Sequence, residues 1–233
     1  MKEALNDKMA HYKILFLGRQ AMNSVKLIFV DEKPFLVDQN LPKMKPLGID
    51  LAEYDREMHL GASGRRCLLQ AVGVSSAQRL QVLDATAGLA RDAFFMAKFG
   101  ADVSMIEQAP ELVTLLEYAL KHNDSSVKNL QLYPGNALEV IPRLPAFEVI
   151  YLDPMFHIAS PKAKVKKDLQ LLQALHVGVA DEAEALFLLA LQHAVKRVVV
   201  KRDRRLPFLA GHKPHWSIKA QSVRFDVYCL NLA

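Results

Sequence analysis

The stretch Leu80-Gln81-Val82-Leu83-Asp84-Ala85-Thr86-Ala87-Gly88-Leu89-Ala90-Arg91-Asp92 decides the fold. A short apolar run ends in an acid, a glycine-bearing turn follows, and Asp92–Phe99 continues at helical spacing until Gly100. This is a strand, a turn and a helix with glycine at its C-terminal cap. The same unit recurs downstream. Val103–Ile106 reads as a strand, and Pro110 opens a helix to about Lys121 with Leu112, Leu115, Leu116 and Ala119 on one face. Leu130–Tyr133 is a strand, Ala137–Ile141 a short helix, and Phe147–Leu152 an apolar strand ending in Asp153-Pro154. Helical segments Asp168–Val177 and Glu182–Ala194 precede a β-branched run, Val198–Val200. Trp216–Lys219 and Phe225–Leu230 close the chain as strands with no helix between them.

Strands alternating with helices form a parallel sheet covered on both faces. A last pair without a crossover helix forms an antiparallel hairpin at one edge. The expectation for residues 76–233 is therefore an α/β, Rossmann-like domain with a mostly parallel, seven-stranded sheet and a C-terminal antiparallel hairpin. Residues 1–75 read as a small N-terminal extension. In it, Leu27–Val30 and Phe35–Val37 pair around Lys33-Pro34, a loop holds Pro42, Pro46 and Gly48, and a helix runs from about Arg65 to Val72.

Composition narrows the class. The 233 residues are 51% hydrophobic and 24% charged, too apolar for a disordered chain and typical of a soluble globular one. Cys67 and Cys229 stand alone in sequence, which points to a reduced, cytoplasmic chain. Lys2, Glu3, Asp7 and Lys8 break up the N-terminus, and its apolar run Ile14–Leu17 is too short for a secretory signal. Nowhere do enough apolar residues run together to span a membrane. His212 and His215 have no further ligands close in sequence, so no metal site is expected.

In an open parallel sheet, ligands sit beyond the carboxyl ends of the strands. Gly88 lets the backbone come close to a ligand there, and the following helix offers free N–H groups. Glu107 ends the second strand, where a carboxylate can take both hydroxyls of a ribose. The plainer alternative is a tight turn and a surface acid. A dinucleotide site wants Gly-x-Gly-x-x-Gly, but the chain from Gly88 reads Gly-Leu-Ala-Arg-Asp-Ala. With Asp84 and Asp92 the loop is acidic, poor for phosphate and better matched to a cationic ligand such as S-adenosylmethionine.

The fourth strand continues as Val149-Ile150-Tyr151-Leu152-Asp153-Pro154-Met155-Phe156. Read structurally, this is a strand stopped by proline next to a core phenylalanine. Read chemically, it fits methylation of a nucleobase amine. The Asp153 carboxylate or the Pro154 carbonyl accepts the amine N–H groups and orients the nitrogen lone pair, and Phe156 stacks on the base. Lys162, Lys164, Lys166 and Lys167 follow this strand, and Lys201 and Arg202 with Arg204 and Arg205 follow the next. The two clusters together exceed the net charge of +5, and both fall on the edge of the sheet that holds the proposed site. They favour a polyanion, RNA, over a small molecule. Arg65 and Arg66 are candidates for the same surface.

Five segments taken together resemble the bacterial RsmJ family. They are Asp84 through Phe94, Tyr151-Leu152-Asp153-Pro154-Met155-Phe156, Val165-Lys166-Lys167, Arg197 through Arg202, and Arg224-Phe225-Asp226-Val227-Tyr228. The resemblance runs from about Leu27 to the C-terminus. It implies a class I methyltransferase that moves a methyl group from S-adenosylmethionine to a guanine N2 of small-subunit (16S) ribosomal RNA, leaving S-adenosylhomocysteine. It further implies that Arg91, Asp92, Glu107, Gln108, Asn136 and Ala137 contact the cofactor and that Asp153 stands beside its methyl group. Ala90 departs from a glycine usual in the loop, and Asn136-Ala137 stands where hydroxyl residues are common. Two other readings share features of the site: a nicotinamide oxidoreductase, and a non-catalytic RNA-binding protein on the same fold.

Overall fold

The computed structural model describes residues 24–40, 44–57, 63–75, 78–154, 167–175 and 182–230. A seven-stranded sheet runs through its centre. β3 (Gln81–Asp84), β4 (Asp102–Glu107), β5 (Leu130–Pro134), β6 (Phe147–Leu152) and β7 (Ala194–Asp203) are parallel to one another. β9 (Val223–Cys229) returns antiparallel to β7, and β8 (Trp216–Lys219) pairs with β9 at the edge. The spatial order is β5-β4-β3-β6-β7-β9-β8. The strands are therefore added outward in opposite directions from β3 and from β6, and this switch in strand order opens a crevice beyond their carboxyl ends.

Side chains on the inner strands alternate between two apolar cores, as a pleated backbone requires. Val82, Met105, Tyr151 and Val199 enter one core with α3 (Arg91–Lys98) and α4 (Pro110–Lys121). Leu83, Ile106, Ile150, Val198 and Val200 enter the other with α5 (Ala137–Val140) and α7 (Ala183–His193). Between β6 and α7 lies α6 (Lys167–Leu175), whose Leu171 joins the first core. Phe94, Phe95 and Phe187 are fully buried, each contributing about 1.5–3 kcal/mol of apolar transfer. Pro110 sits in the first turn of α4, and Gly100 takes φ +108 just beyond α3.

The N-terminal segment packs into the first core. β1 (Val25–Val30) and β2 (Lys33–Asp38) form an antiparallel hairpin, and α1 (Leu51–Glu57) and α2 (Ser63–Val72) follow. Leu36, Leu51, Tyr54 and Leu68 share the core of α3, where the Tyr54 and Phe94 rings meet edge to face at 5.8 Å.

Three local expectations are corrected. The hairpin turns at Asp31-Glu32, both at positive φ, while Lys33 and Pro34 already belong to β2. A two-residue turn of that geometry matches strand twist better than a turn at Lys33-Pro34, because proline is locked at negative φ. The stretch read as a proline- and glycine-bearing loop contains α1, whose first N–H groups are capped by Asp50, with Ala52 N and Glu53 N donating to its Oδ1 at 2.9 and 3.0 Å. Finally, β7 is ten residues long, so Lys201 and Arg202 lie within the strand and not in the loop after it. Alternation sends them to opposite faces: Lys201 lines the crevice, and Arg202 is buried beside the charges of Arg224, Asp226 and Glu184.

Beyond β7 the backbone is held by one buried ion pair. Arg224 Nε donates to both oxygens of Asp226 at 2.8 and 3.0 Å, and Ser217 Oγ donates to Asp226 Oδ1 at 2.6 Å. The same guanidinium donates to the carbonyls of Asp203, Arg204, Leu206 and Pro207. Its planar fork thereby fixes the turn that presents Arg204 and Arg205 to solvent. Asp226→Ala leaves that guanidinium buried without its counter-charge, so the variant is expected to lose about 3–5 kcal/mol in urea unfolding. A loss below about 1 kcal/mol would mean that the four carbonyls suffice to hold Arg224.

Candidate active site

The crevice between β3 and β6 is a cleft of about 320 Å³. Every residue expected from the sequence to contact the cofactor lines it: Asp84, Gly88, Arg91, Asp92, Glu107, Gln108, Asn136, Ala137 and Asp153. Pro154 lines it as well. Phe156, Lys162, Lys164 and Lys166 lie outside the described residues, and Lys167 is described only as the first residue of α6.

The wall nearest β3 and β4 is built around Glu107. This buried carboxylate accepts Gly88 N on Oε2 at 2.8 Å, and Gln108 N and Ala109 N on Oε1 at 2.9 and 2.8 Å. Its plane is fixed from two loops at once. Gly88 takes φ +54, and a Cβ there would meet no protein atom within 4 Å, so the backbone presents open space to the cleft. Asn136 caps α5, accepting Leu138 N at 2.8 Å, and its amide donates to Glu182 Oε2 at 3.0 Å.

The opposite wall carries the charge. Tyr151, on β6, donates its hydroxyl to Asp92 Oδ2 at 2.6 Å. Lys201, on β7, donates to Asp92 Oδ2 and to Asp153 Oδ2, each at 2.8 Å. The Asp153 backbone N–H donates to Thr86 Oγ1 at 2.7 Å, and Thr86 N donates to Asp84 Oδ1 at 3.0 Å. Thr86 thus ties the loop after β3 to the Asp-Pro segment after β6. Asp153 Oδ1 has no hydrogen-bond donor among the described residues, and the side chain keeps 40% of its exposure.

Crowding sets the protonation states. Burial, together with the charges of Asp92 and Asp153, raises the Asp84 carboxyl to about 8. Burial also opposes ionisation of Asp92, yet the Lys201 charge and the hydrogen bonds from Lys201 and Tyr151 bring it below the ordinary carboxylate value. For Asp153 burial prevails, with the Asp92 charge adding to it and Lys201 opposing, and the carboxyl is raised. Lys201 is raised in spite of burial because two carboxylates share its charge. The Tyr151 phenol is pushed well up, first by burial and then by the three neighbouring acids.

Comparison with known proteins meets this geometry directly. A family described as putative SAM-dependent methyltransferase matches residues 10–230. Ribosomal RNA small subunit methyltransferase J of Halorhodospira halophila is 35% identical over 217 residues, which is 88% of this chain and 81% of that protein. Its namesake in Aeromonas salmonicida is 37% identical over 214 residues, 88% and 86% of the two chains. The crystal structure of a SAM-dependent methyltransferase from Neisseria gonorrhoeae superposes with a TM-score of 0.73 at 26% identity, covering 99% of this chain and 93% of that one. The chain belongs to the SAM-dependent methyltransferase family that includes ribosomal RNA small subunit methyltransferase J.

The fold, enzyme class and cofactor expected from the sequence are those of this methyltransferase family. Its cofactor, S-adenosylmethionine, is a cation with an aromatic base and no phosphate. The cleft fits such a group: acidic side chains outnumber the basic ones on its lining, apolar Ile106, Leu138 and Leu186 line the walls, and Gly88 leaves the space of a side chain open. Asp84, Asp92, Glu107 and the backbone around Gly88 would hold it. Among the described residues no group of three or more His, Cys, Asp or Glu is placed to hold a metal ion, and no helix is long and apolar enough to cross a membrane.

Sequence reasoning missed four residues of the site: Thr86, Tyr151, Glu182 and the inward role of Lys201. Tyr151 carried a signal, a phenol hydroxyl in the apolar run Val149–Leu152 just before Asp153. Lys201 carried none, because the strand that points it inward looked three residues long.

Asp84 generates a measurable pH dependence. A carboxyl raised from its ordinary value near 3.8 to about 8 binds a proton in the folded state that the unfolded chain releases. Stability therefore falls as pH climbs from about 4 towards 8, by at most about 1.4 kcal/mol per pH unit. Asp84→Asn retains an acceptor for Thr86 N and cannot ionise, so its unfolding free energy is expected to flatten across this window and to exceed wild type above pH 8. Parallel curves for the two proteins from pH 5 to 9 would show that Asp84 ionises normally.

Proposed function

We propose that this methyltransferase acts on the exocyclic N2 amine of a guanine in small-subunit (16S) ribosomal RNA. The observation that carries the reading is Asp153: a carboxylate directly after β6 that lines the cleft, with Oδ2 held by Lys201 and no donor on Oδ1 among the described residues. Relatives sharing 35–38% identity bear the name ribosomal RNA small subunit methyltransferase J, which supports the same substrate.

The chemistry required of the chain is modest. S-adenosylmethionine supplies, when bound, an electrophilic sulfonium methyl. A guanine amine is a weak nucleophile because its lone pair is delocalised into the ring. Asp153 accepts an amine N–H, the Pro154 carbonyl serves as a second acceptor, and the nitrogen is held with its lone pair facing the methyl donor. Such positioning is worth several orders of magnitude when the reacting atoms are held in near-attack geometry. The methylated nitrogen then sheds its extra proton to Asp153 or to water. Phe156 stacks on the base once it leaves its helix. Lys162, Lys164, Lys166 and Lys167 hold the RNA backbone as it approaches from the carboxyl edge of the sheet, where Arg204 and Arg205 are also exposed. This substrate would place the protein in the cytoplasm.

The test is methyl transfer from labelled cofactor to small-subunit ribosomal RNA lacking the modification, as naked RNA and as assembled subunits, with digestion and mass analysis of the nucleosides. Label in N2-methylguanosine is the expected result. Bound cofactor with no labelled nucleoside from either substrate would overturn the assignment. Asp153→Ala is expected to lower kcat at least about 100-fold with an unfolding midpoint close to wild type. A near-normal rate would remove Asp153 from the reaction.

A further inference from the structure

The four side chains Tyr151, Asp92, Lys201 and Asp153 form a chain in which each holds the next. The Tyr151 ring is buried within β6 and its hydroxyl fixes Asp92 at 2.6 Å. Asp92 belongs to the first turn of α3 and anchors the Lys201 ammonium at 2.8 Å. Lys201 in turn reaches Asp153 Oδ2 at 2.8 Å. Its strand is paired directly with β6, Val200 lying opposite Leu152, so its position is set by the sheet. The result is a carboxylate with Oδ2 committed to Lys201 and no donor on Oδ1 among the described residues.

We propose that Lys201 is the positioning residue of the methyl-transfer site: clamped between Asp92 and Asp153, its ammonium turns the Asp153 carboxylate so that Oδ1 meets the substrate amine. The proposal rests on the functional reading above. A surface lysine that gripped RNA phosphate would keep its ammonium in water, whereas this one spends two of its three donors on carboxylates within the cleft. Lys201 also supplies the positive charge that favours ionised Asp153, against burial and against Asp92. The other charged or titratable groups facing the cluster are Asp84 from β3 and Arg65 from α2, with Arg91, Glu107 and Glu182 on the walls of the cleft. None of these is hydrogen-bonded to an Asp153 carboxylate oxygen.

Two measurements on the whole protein test this, one of which needs no catalysis. The carboxyl-carbon NMR signal of Asp153, identified by its disappearance in Asp153→Asn, is titrated in wild type and in Lys201→Met. Removing the ammonium withdraws stabilisation from the ionised form, so the Asp153 titration is expected to move to higher pH. An unmoved titration overturns the proposal whatever the substrate proves to be. In the transfer assay, Lys201→Met is expected to lower kcat by about 100-fold and to shift the acid limb of the kcat profile upward, with KM for RNA changed less than about threefold. Lys201→Arg, which keeps the charge, is expected to recover at least about tenfold of that loss. A raised KM with a weaker salt dependence, at unchanged kcat and unchanged acid limb, would instead make Lys201 a phosphate contact and overturn the proposal. Should Lys201→Met fail to fold, Tyr151→Phe removes only the far end of the chain. Its kcat is then expected to fall about threefold to tenfold, and an unchanged kcat and Asp153 titration would overturn the proposal. Failure of the functional reading is separate: it appears as wild-type protein that leaves the RNA unlabelled.

Discussion

Of the five acidic side chains that line the cleft, Asp84, Asp92 and Asp153 crowd together, and a single ammonium holds two of them. Everything around the site follows from keeping Asp84, Asp92 and Asp153 together. Like charges in a partly desolvated space repel, and each also loses hydration. The chain offsets this in three ways: Asp84 shifts towards its neutral form, Asp92 takes hydrogen bonds from Tyr151 and Lys201, and Asp153 shares Lys201. Such an arrangement is a poor way to stabilise a fold and a good way to receive a cation. Its negative balance attracts a sulfonium, and Lys201 holds Asp153 by Oδ2, so that Oδ1 has no donor among the described residues.

The site depends on strands more than on loops. Asp84 ends β3, Tyr151 lies in β6, Asp153 directly follows it, and Lys201 lies in β7, all parallel and adjacent. Side-chain direction on a strand is fixed by alternation, so Tyr151 and Lys201 reach the cleft from the face shared with Val199. The loops contribute backbone. Glu107 gathers N–H groups from its own loop and from Gly88, and Thr86 accepts the N–H of Asp153. Stability comes from elsewhere, from two apolar cores and from the Arg224–Asp226 pair behind the turn after β7.

Much of this was legible in the sequence, and the exceptions share a cause. The apolar strands and the helices opened by Pro110 or ended by Gly100 read correctly because pattern and punctuation agree. Asp84, Glu107 and Asp153 were legible because they stand at strand ends, where an open α/β sheet binds its ligands. β7 was read as Val198–Val200, although it runs from Ala194 to Asp203, because flanking lysines and arginines look like solvent-exposed loop. Periodicity counts apolar side chains, and a strand that points Lys201 into a cleft and Arg202 into a buried charge network offers none there. α1 was lost in the same way, since its local signals were one capping aspartate and the buried pair Leu51 and Tyr54.

Ala90 shows how a departure in a motif is absorbed. It takes φ 56 and ψ 21, the left-handed region, where a residue with a Cβ costs roughly 1–2 kcal/mol more than in its preferred wells. The turn holds it there: Ala90 N donates to Ala87 O at 2.7 Å and Phe94 N donates to Ala90 O at 2.8 Å, the first bond of α3. Its methyl is buried and returns about 0.8 kcal/mol by leaving water, and alanine loses less backbone entropy on folding than glycine does. These gains nearly balance the strain. The loop therefore keeps the conformation that a glycine would take, Gly88 and Asp92 keep their places on the cleft, and the substitution is felt in local energetics, not in the geometry presented to the cofactor.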